Sequence, residues 1–314
     1  MKKMRFLTAV LVVFMAAIPS MAAVQDDIRS DSALIGKWFG KQIGEAIAFN
    51  GASNPQLPGN VCKLLGAEVG VSGVVSVSQW DTDEFRKLPL SSFDNANKDV
   101  ISLPKDIPLP SWVAHAKVGL PLGLDLGVKY GTFDMDKKTA DSKSEFSNSV
   151  TGVEIRKRLI GGDGLSDAVI PDLALSVAYD MISGDVKRTE PYGAALLGGQ
   201  TLTADTTWKS EWDVKTITAR LVLSQKILIV TPFIGGGVTA NSGDVETTVQ
   251  TLGTVSTGGV VAESVKEKVK INNSNVHFLG GVEIALFPLV RLNVSGVTGG
   301  DHKAVSAGLR AQFR

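Results

Sequence analysis

The last quarter of the chain writes apolar and polar side chains in strict alternation: Val290, Arg291, Leu292, Asn293, Val294 and Ser295, then the run from Val305 to Phe313. A period of two belongs to a β-strand whose two faces meet different media. It recurs at 66–78, 111–119, 122–133, 147–159, 172–182, 207–223, 227–239, 276–286, 289–297 and 303–313, which predicts ten strands. Most have the roughly 9 to 11 residues of a tilted membrane strand. The connections alternate in size. Leu120 with Pro121, residues 224–226, and Phe287 with Pro288 read as tight turns, whereas 79–110, 134–146, 183–206 and 240–275 read as long loops. Residues 299–301 are a short exception among the long loops, and 161–171 a longer one among the turns. Turns at one end and loops at the other are the sidedness of a barrel in a membrane. The expected fold is all-β, an antiparallel transmembrane up-and-down β-barrel of about ten strands. A hairpin within 240–275, built from 246–249 and 265–271, would make twelve.

The faces separate by charge. Leu122, Leu124, Leu126, Val128 and Tyr130 share one face, and Asp125 and Lys129 the other; Val153 and Ile155 oppose Glu154, Arg156 and Arg158. Asp180, Arg220, Glu283, Arg291 and Arg310 likewise oppose apolar neighbours. A charge facing lipid at mid-membrane costs about 2 to 4 kcal/mol, so in a barrel these ten residues form a lumen charge network. Opposite charges in a narrow interior pair, and a paired lumen is closed.

Residues 27–50 carry a helical period instead: Ile35, Phe39, Ile43 and Ile47 recur every fourth residue, with Trp38 and Ala46 beside them. This amphipathic helix reads first as packed on the periplasmic rim, and alternatively as a plug in the lumen. Ahead of it, Met1, Lys2, Lys3, Met4 and Arg5 precede an apolar stretch at 6–18, with small residues at Ser20 and Ala22. That is the pattern of a cleaved export signal, with processing expected after Ala22. The expected organisation is a signal peptide at 1–22, a helical extension or plug at 23–60, and the barrel at 61–314.

Lysine plus arginine equals aspartate plus glutamate at 32 each, so there is no basic field for nucleic acid. The single Cys62 reads as a buried small hydrophobe. His115, His277 and His302 lack metal-ligand spacing, and the glycines at 161–164 lack the lysine of a phosphate loop. The Asp301 and His302 pair is too common a pairing to count as a catalytic motif. Trp80, Trp208 and Trp212 read first as interfacial anchors, and alternatively as the lining of a ligand mouth. The chain is expected to be no enzyme and to need no cofactor and no metal.

On residues 119–127, 231–237 and the closing strand, the chain resembles Gram-negative outer-membrane β-barrel proteins of uncharacterised exported families. The resemblance implies outer-membrane lipid and the barrel assembly machinery as partners, with Phe313 as the assembly signal, here followed by Arg314. A weaker resemblance, to the long-chain fatty-acid transporter family, rests on the possible hatch at 35–47. Three functions remain open. The first is passive transport or binding of a small solute, a small hydrophobic ligand included, with the helix and the charged lumen acting as gate. The second is a structural or surface-interaction barrel with a closed lumen, and the third a soluble periplasmic lipocalin-like binder with an apolar interior.

Overall fold

The computed structural model describes residues 21–53, 55–89, 106–138, 143–162, 169–191, 195–197, 200–255 and 260–313. The expected export signal up to residue 20, much of the first long loop, and Arg314 lie outside the described residues. The elements are α1 (Met21–Ala52), β1 (Ala67–Gln79), α2 (Thr82–Arg86), β2 (Asp106–Leu120), β3 (Leu124–Lys138), β4 (Lys143–Ile160), β5 (Asp172–Pro191), the short β6 (Ala195–Leu197), β7 (Gln200–Ser224), β8 (Val230–Val255), β9 (Val260–Ala285), β10 (Val290–Gly299) and β11 (His302–Phe313). Among the described residues, no helix is long and apolar enough to cross a membrane.

Ten antiparallel strands form a closed ring. Each pairs with its sequence neighbour, β1 pairs with β11 from Ala67↔Phe313 to Ser78↔His302, and β5 pairs with β7 to bridge the three-residue β6. Closure gives every strand a partner on each side, which a membrane interior demands, although β9 meets β10 only from Phe278 to Ala285. The tight turns need backbone that bends sharply: Leu122 and Gly123 after Pro121, and Leu228 after β7, take positive φ. Leu122 thus lies in a turn, and β3 begins at Leu124 rather than at 122.

Around this ring the strand lengths are very unequal. β10 has 10 residues, whereas β8 and β9 have 26 each. The segments read as long loops at 134–146, 183–206 and 240–275 are largely strand, because the alternation continues there in a more polar alphabet. Segments 246–249 and 265–271 pair with each other through Glu246↔Lys268 and Val249↔Val265, but as the far halves of β8 and β9. The twelve-strand alternative is therefore wrong.

The outward apolar side chains form a band. On β5 it runs through Leu175, Val177, Tyr179 and Met181, on β7 through Ile217, Leu221 and Leu223, and on β9 through Val276, Phe278 and Val282. On β7 the outward side chains then change to Lys215, Asp213 and Glu211. Some nine residues of tilted strand make a belt of about 25 Å, the height of a barrel's lipid-facing band. On the two closing strands the parity is the reverse of a lipocalin-like binder's: Arg291 and Arg310 are 6% and 3% exposed while Val294 is 46% exposed.

The band yields a direct test. Leu221→Arg places a charge in the lipid-facing belt and should cost about 2 to 4 kcal/mol, while Lys215→Arg above it should be neutral. The fraction of protein keeping its fast-migrating, unboiled form in detergent gels after refolding into lipid reads the difference.

Candidate functional site: a lumen filled by the amino-terminal segment

α1 is not on the rim. Its carboxy-terminal half runs inside the ring, because Ile43, Ala46, Ile47 and Ala48 share one buried cluster with Leu109, Val150, Ile182, Trp212, Val214, Val245 and Ile271 from β2, β4, β5, β7, β8 and β9. Phe49 completes the circle against Val74, Leu279, Val297 and Ala304 from β1, β9, β10 and β11. Contacts from both arcs of a closed wall place a helix within it. The amphipathic face had a choice of surfaces, and the lumen buries it on all sides.

The outer part of the helix is held by aromatics. Trp38 meets Trp80 edge-on at 5.2 Å and Phe85 at 5.0 Å, donates its ring N–H to the Asp81 carbonyl at 3.1 Å, and Phe39 packs on Trp80 at 5.2 Å. Ile35 is buried beside them. Trp80, Trp208 and Trp212 all point inward and are buried, so they are not interfacial anchors; Trp212 donates to Asn148 Oδ1 at 3.2 Å. Gly36, Gly40 and Gly44 make a groove that admits Glu267, Val269 and Ile271 in turn, and a Cβ on Gly44 would stand 2.5 Å from Ile271 Cδ1. Glycine inside a helix is intrinsically costly, and this close approach accounts for it.

The helix ends against cations. Lys129 Nζ donates to the Gly51 carbonyl at 3.0 Å, and Arg220 donates to that of Ala52. Asn50 Nδ2 donates to Ser76 Oγ at 2.8 Å and to the Leu109 carbonyl at 2.7 Å. The unsatisfied carbonyls of a helix end carry about half a negative charge, so the two cations neutralise that end. Residues 55–66 then run as a strap to the end of the barrel with the tight turns. Arg156 donates to the Pro58 carbonyl at 3.3 Å, Gly59 N–H to Ser224 Oγ at 3.0 Å, Cys62 N–H to Asp125 Oδ2 at 3.1 Å, and Gly119 N–H to the Gly66 carbonyl at 2.8 Å.

Two ion clusters flank the strap. On one wall Arg156 grips Asp125 bidentately at 2.9 and 2.6 Å, Lys117 pairs with Glu154, Arg220 lies 3.8 Å from Glu154, and Lys129 3.0 Å from Asp180. On the other, Arg310 donates to Glu283 at 2.6 Å and to Glu68, Arg291 to Glu283 at 3.0 Å, and His115 Nε2 stands 3.3 Å from Glu68. Arg158 stands apart, donating to the Gly162 carbonyl at 3.2 Å near the turn. Glu68, His115 and Lys117 were missed by the sequence reading, although each shares the inward parity of its strand. Apart from His115 the two clusters hold six cations and five carboxylates, and the helix end supplies part of the missing negative charge.

Little space is left. Three cavities beside the strap hold about 20, 10 and 10 Å³, room for a water or so each. His302 bonds Ser78 Oγ at 2.9 Å and stacks on Phe49 at 5.1 Å, so it supports the helix while Asp301 lies exposed. Burial pushes the Cys62 thiol up to about 11, which leaves it a poor nucleophile. Among the described residues no group of His, Cys, Asp or Glu could hold a metal. Phe313 faces outward at the β1–β11 seam.

Fold and lumen together define a ten-stranded antiparallel β-barrel closed by its own amino-terminal segment. Residues 1–313 match a family of unknown function, DUF6588, and the chain belongs to that family. No curated protein matches it significantly. Among solved structures it is similar to Neisserial surface protein A, at 12% identity over 79% of this chain and 97% of that one with a TM-score of 0.29. It is also similar to the translocator domain of the autotransporter NalP from Neisseria meningitidis, at 6% identity over 91% and 98% with a TM-score of 0.29. The Acinetobacter baumannii outer membrane protein Omp33 matches at 11% over 79% and 99%, with a TM-score of 0.26. These neighbours are outer-membrane β-barrels. The resemblance to fatty-acid transporters finds no support in these matches.

Removing one member of a buried ion cluster strands its partners. Arg310→Met leaves Glu68 and Glu283 without their shared cation and should cost about 3 to 5 kcal/mol. The urea midpoint for loss of the fast-migrating form should fall accordingly, and an unchanged midpoint would show that the cluster carries no stability.

Proposed function

We propose that the protein is a non-enzymatic barrel of the outer membrane, exported by a cleaved signal, whose lumen is held shut by residues 35–66 and which works through its surface rather than as an open pore. The observation that carries this reading is the continuous filling of the lumen, by the apolar half of α1 on one side of Ala52 and by the ion-clasped strap on the other. The apolar belt and the inward charges support the membrane location, and the single-sided extension of β7, β8 and β9 supports an exposed working surface. Lipid meets the belt, and the β1–β11 seam with Phe313 is what the assembly machinery would read. Passive transport of a small hydrophobic solute, favoured by the sequence, would require the plug to move first.

Planar-bilayer recording of the folded full chain should give no steady conductance. Gly44→Trp, which wedges α1 away from Val245 and Ile271, should produce openings while the boiling-dependent gel shift persists. Steady conductance from the unsubstituted chain would overturn the closed reading.

A further inference from the structure

α1 has a direction as well as a place. Down β9 the chain runs from the far end of the extension toward the tight turns, and the helix descends beside it in step: Gly36 lies at Glu267, Gly40 at Val269 and Gly44 at Ile271. Lys37 also stands 3.6 Å from Glu267. The outward belt on β9 begins only at Val276 and Phe278, so Glu267 lies roughly 20 to 25 Å beyond it along a tilted strand. The carboxy-terminal end of α1, at Ala52, meets Arg220 within the belt region. Residues 55–66 then reach Ser224 and Gly119, beside the tight turns at the opposite end. Upstream of Gly36 the helix continues away from the membrane to Met21, about another 22 Å at 1.5 Å per residue.

We infer that the amino-terminal end of α1 lies on the cell exterior, so that the barrel carries the start of its own processed chain across the outer membrane. This rests on the membrane reading above, in which the tight turns face the periplasm. An exported chain reaches the membrane from the periplasm, and a helix lodged on the rim would have left its first residues there. With the strap as the sole link between α1 and β1, the helix has instead passed to the far side. The segment thereby becomes both a seal and an element displayed on the side of the barrel that β8 and β9 extend toward.

Lys37 has a side chain 59% exposed at the outer end, whereas the native Cys62 is buried near the other. Lys37→Cys in the full chain should therefore react with a membrane-impermeant maleimide on intact cells, and the unsubstituted protein should not. Asp301→Cys between β10 and β11 marks the outer side, and Leu228→Cys between β7 and β8 the periplasmic side. Lys37→Cys should label as strongly as Asp301→Cys and many-fold above Leu228→Cys. Labelling of Lys37→Cys only after permeabilisation, with Asp301→Cys reactive on intact cells, would overturn the placement of the helix alone. Leu228→Cys reactive and Asp301→Cys silent would overturn the membrane orientation and this inference with it. Should Lys37→Cys fail to give a boiling-shifted barrel, Gly40→Cys with Val269→Cys decides the placement: an added Cβ at Gly40 would lie 3.6 Å from Val269 Cβ, within disulfide range. Formation of that bond supports the inference, and its failure in a folded barrel overturns it.

Discussion

A charge enclosed by a ring of strands must find a counter-charge or a hydrogen bond, and most of what surrounds the lumen follows from that demand. Asp125 serves Arg156 and the Cys62 N–H at once, and Glu283 serves Arg291 and Arg310. The wall is not balanced by side chains alone. Lys129 and Arg220 donate to the last carbonyls of α1, so the wall and the helix end are electrically incomplete without each other. This fixes the depth to which the helix sits, which apolar packing, being non-directional, fixes less sharply.

The lumen divides its work by chemistry. Toward the long ends of β8 and β9 the contacts are dry: isoleucines, valines and Trp212 interlock around Ile43 and Ile47. Toward the tight turns they are ionic, with small cavities around the strap. The dry half supplies most of the burial free energy, while the ionic half supplies register, because bidentate and backbone contacts tolerate little displacement.

The strands were legible in the sequence because a membrane barrel enforces period two on both faces, and the ring of ten and the inward charges follow from that parity. The distal halves of β8 and β9 were not, since Lys266, Lys268 and Lys270 face water there and the inward Val265, Val269 and Ile271 leave no lipid-facing row to recognise. The helix was legible and its location was not: periodicity states that a face is buried, never against what. Two signals did exist. Gly36, Gly40 and Gly44 at four-residue spacing mark a close approach. Trp208 and Trp212 share the parity of Arg220, which places all three on the inner face. Reading tryptophan as an interfacial residue overrode that parity.

The snug fit of α1 also dictates a history. A folded helix is about 10 to 12 Å across, and a finished ring lined this closely offers it no way in. In chain order the plugging residues precede β1, and β11, the partner that closes the seam, comes after every other strand of the ring. Assembly is then better pictured as wrapping than as insertion: the sheet curls about a core already present, and the final zipping of β11 onto β1 seals in what no later arrival could reach.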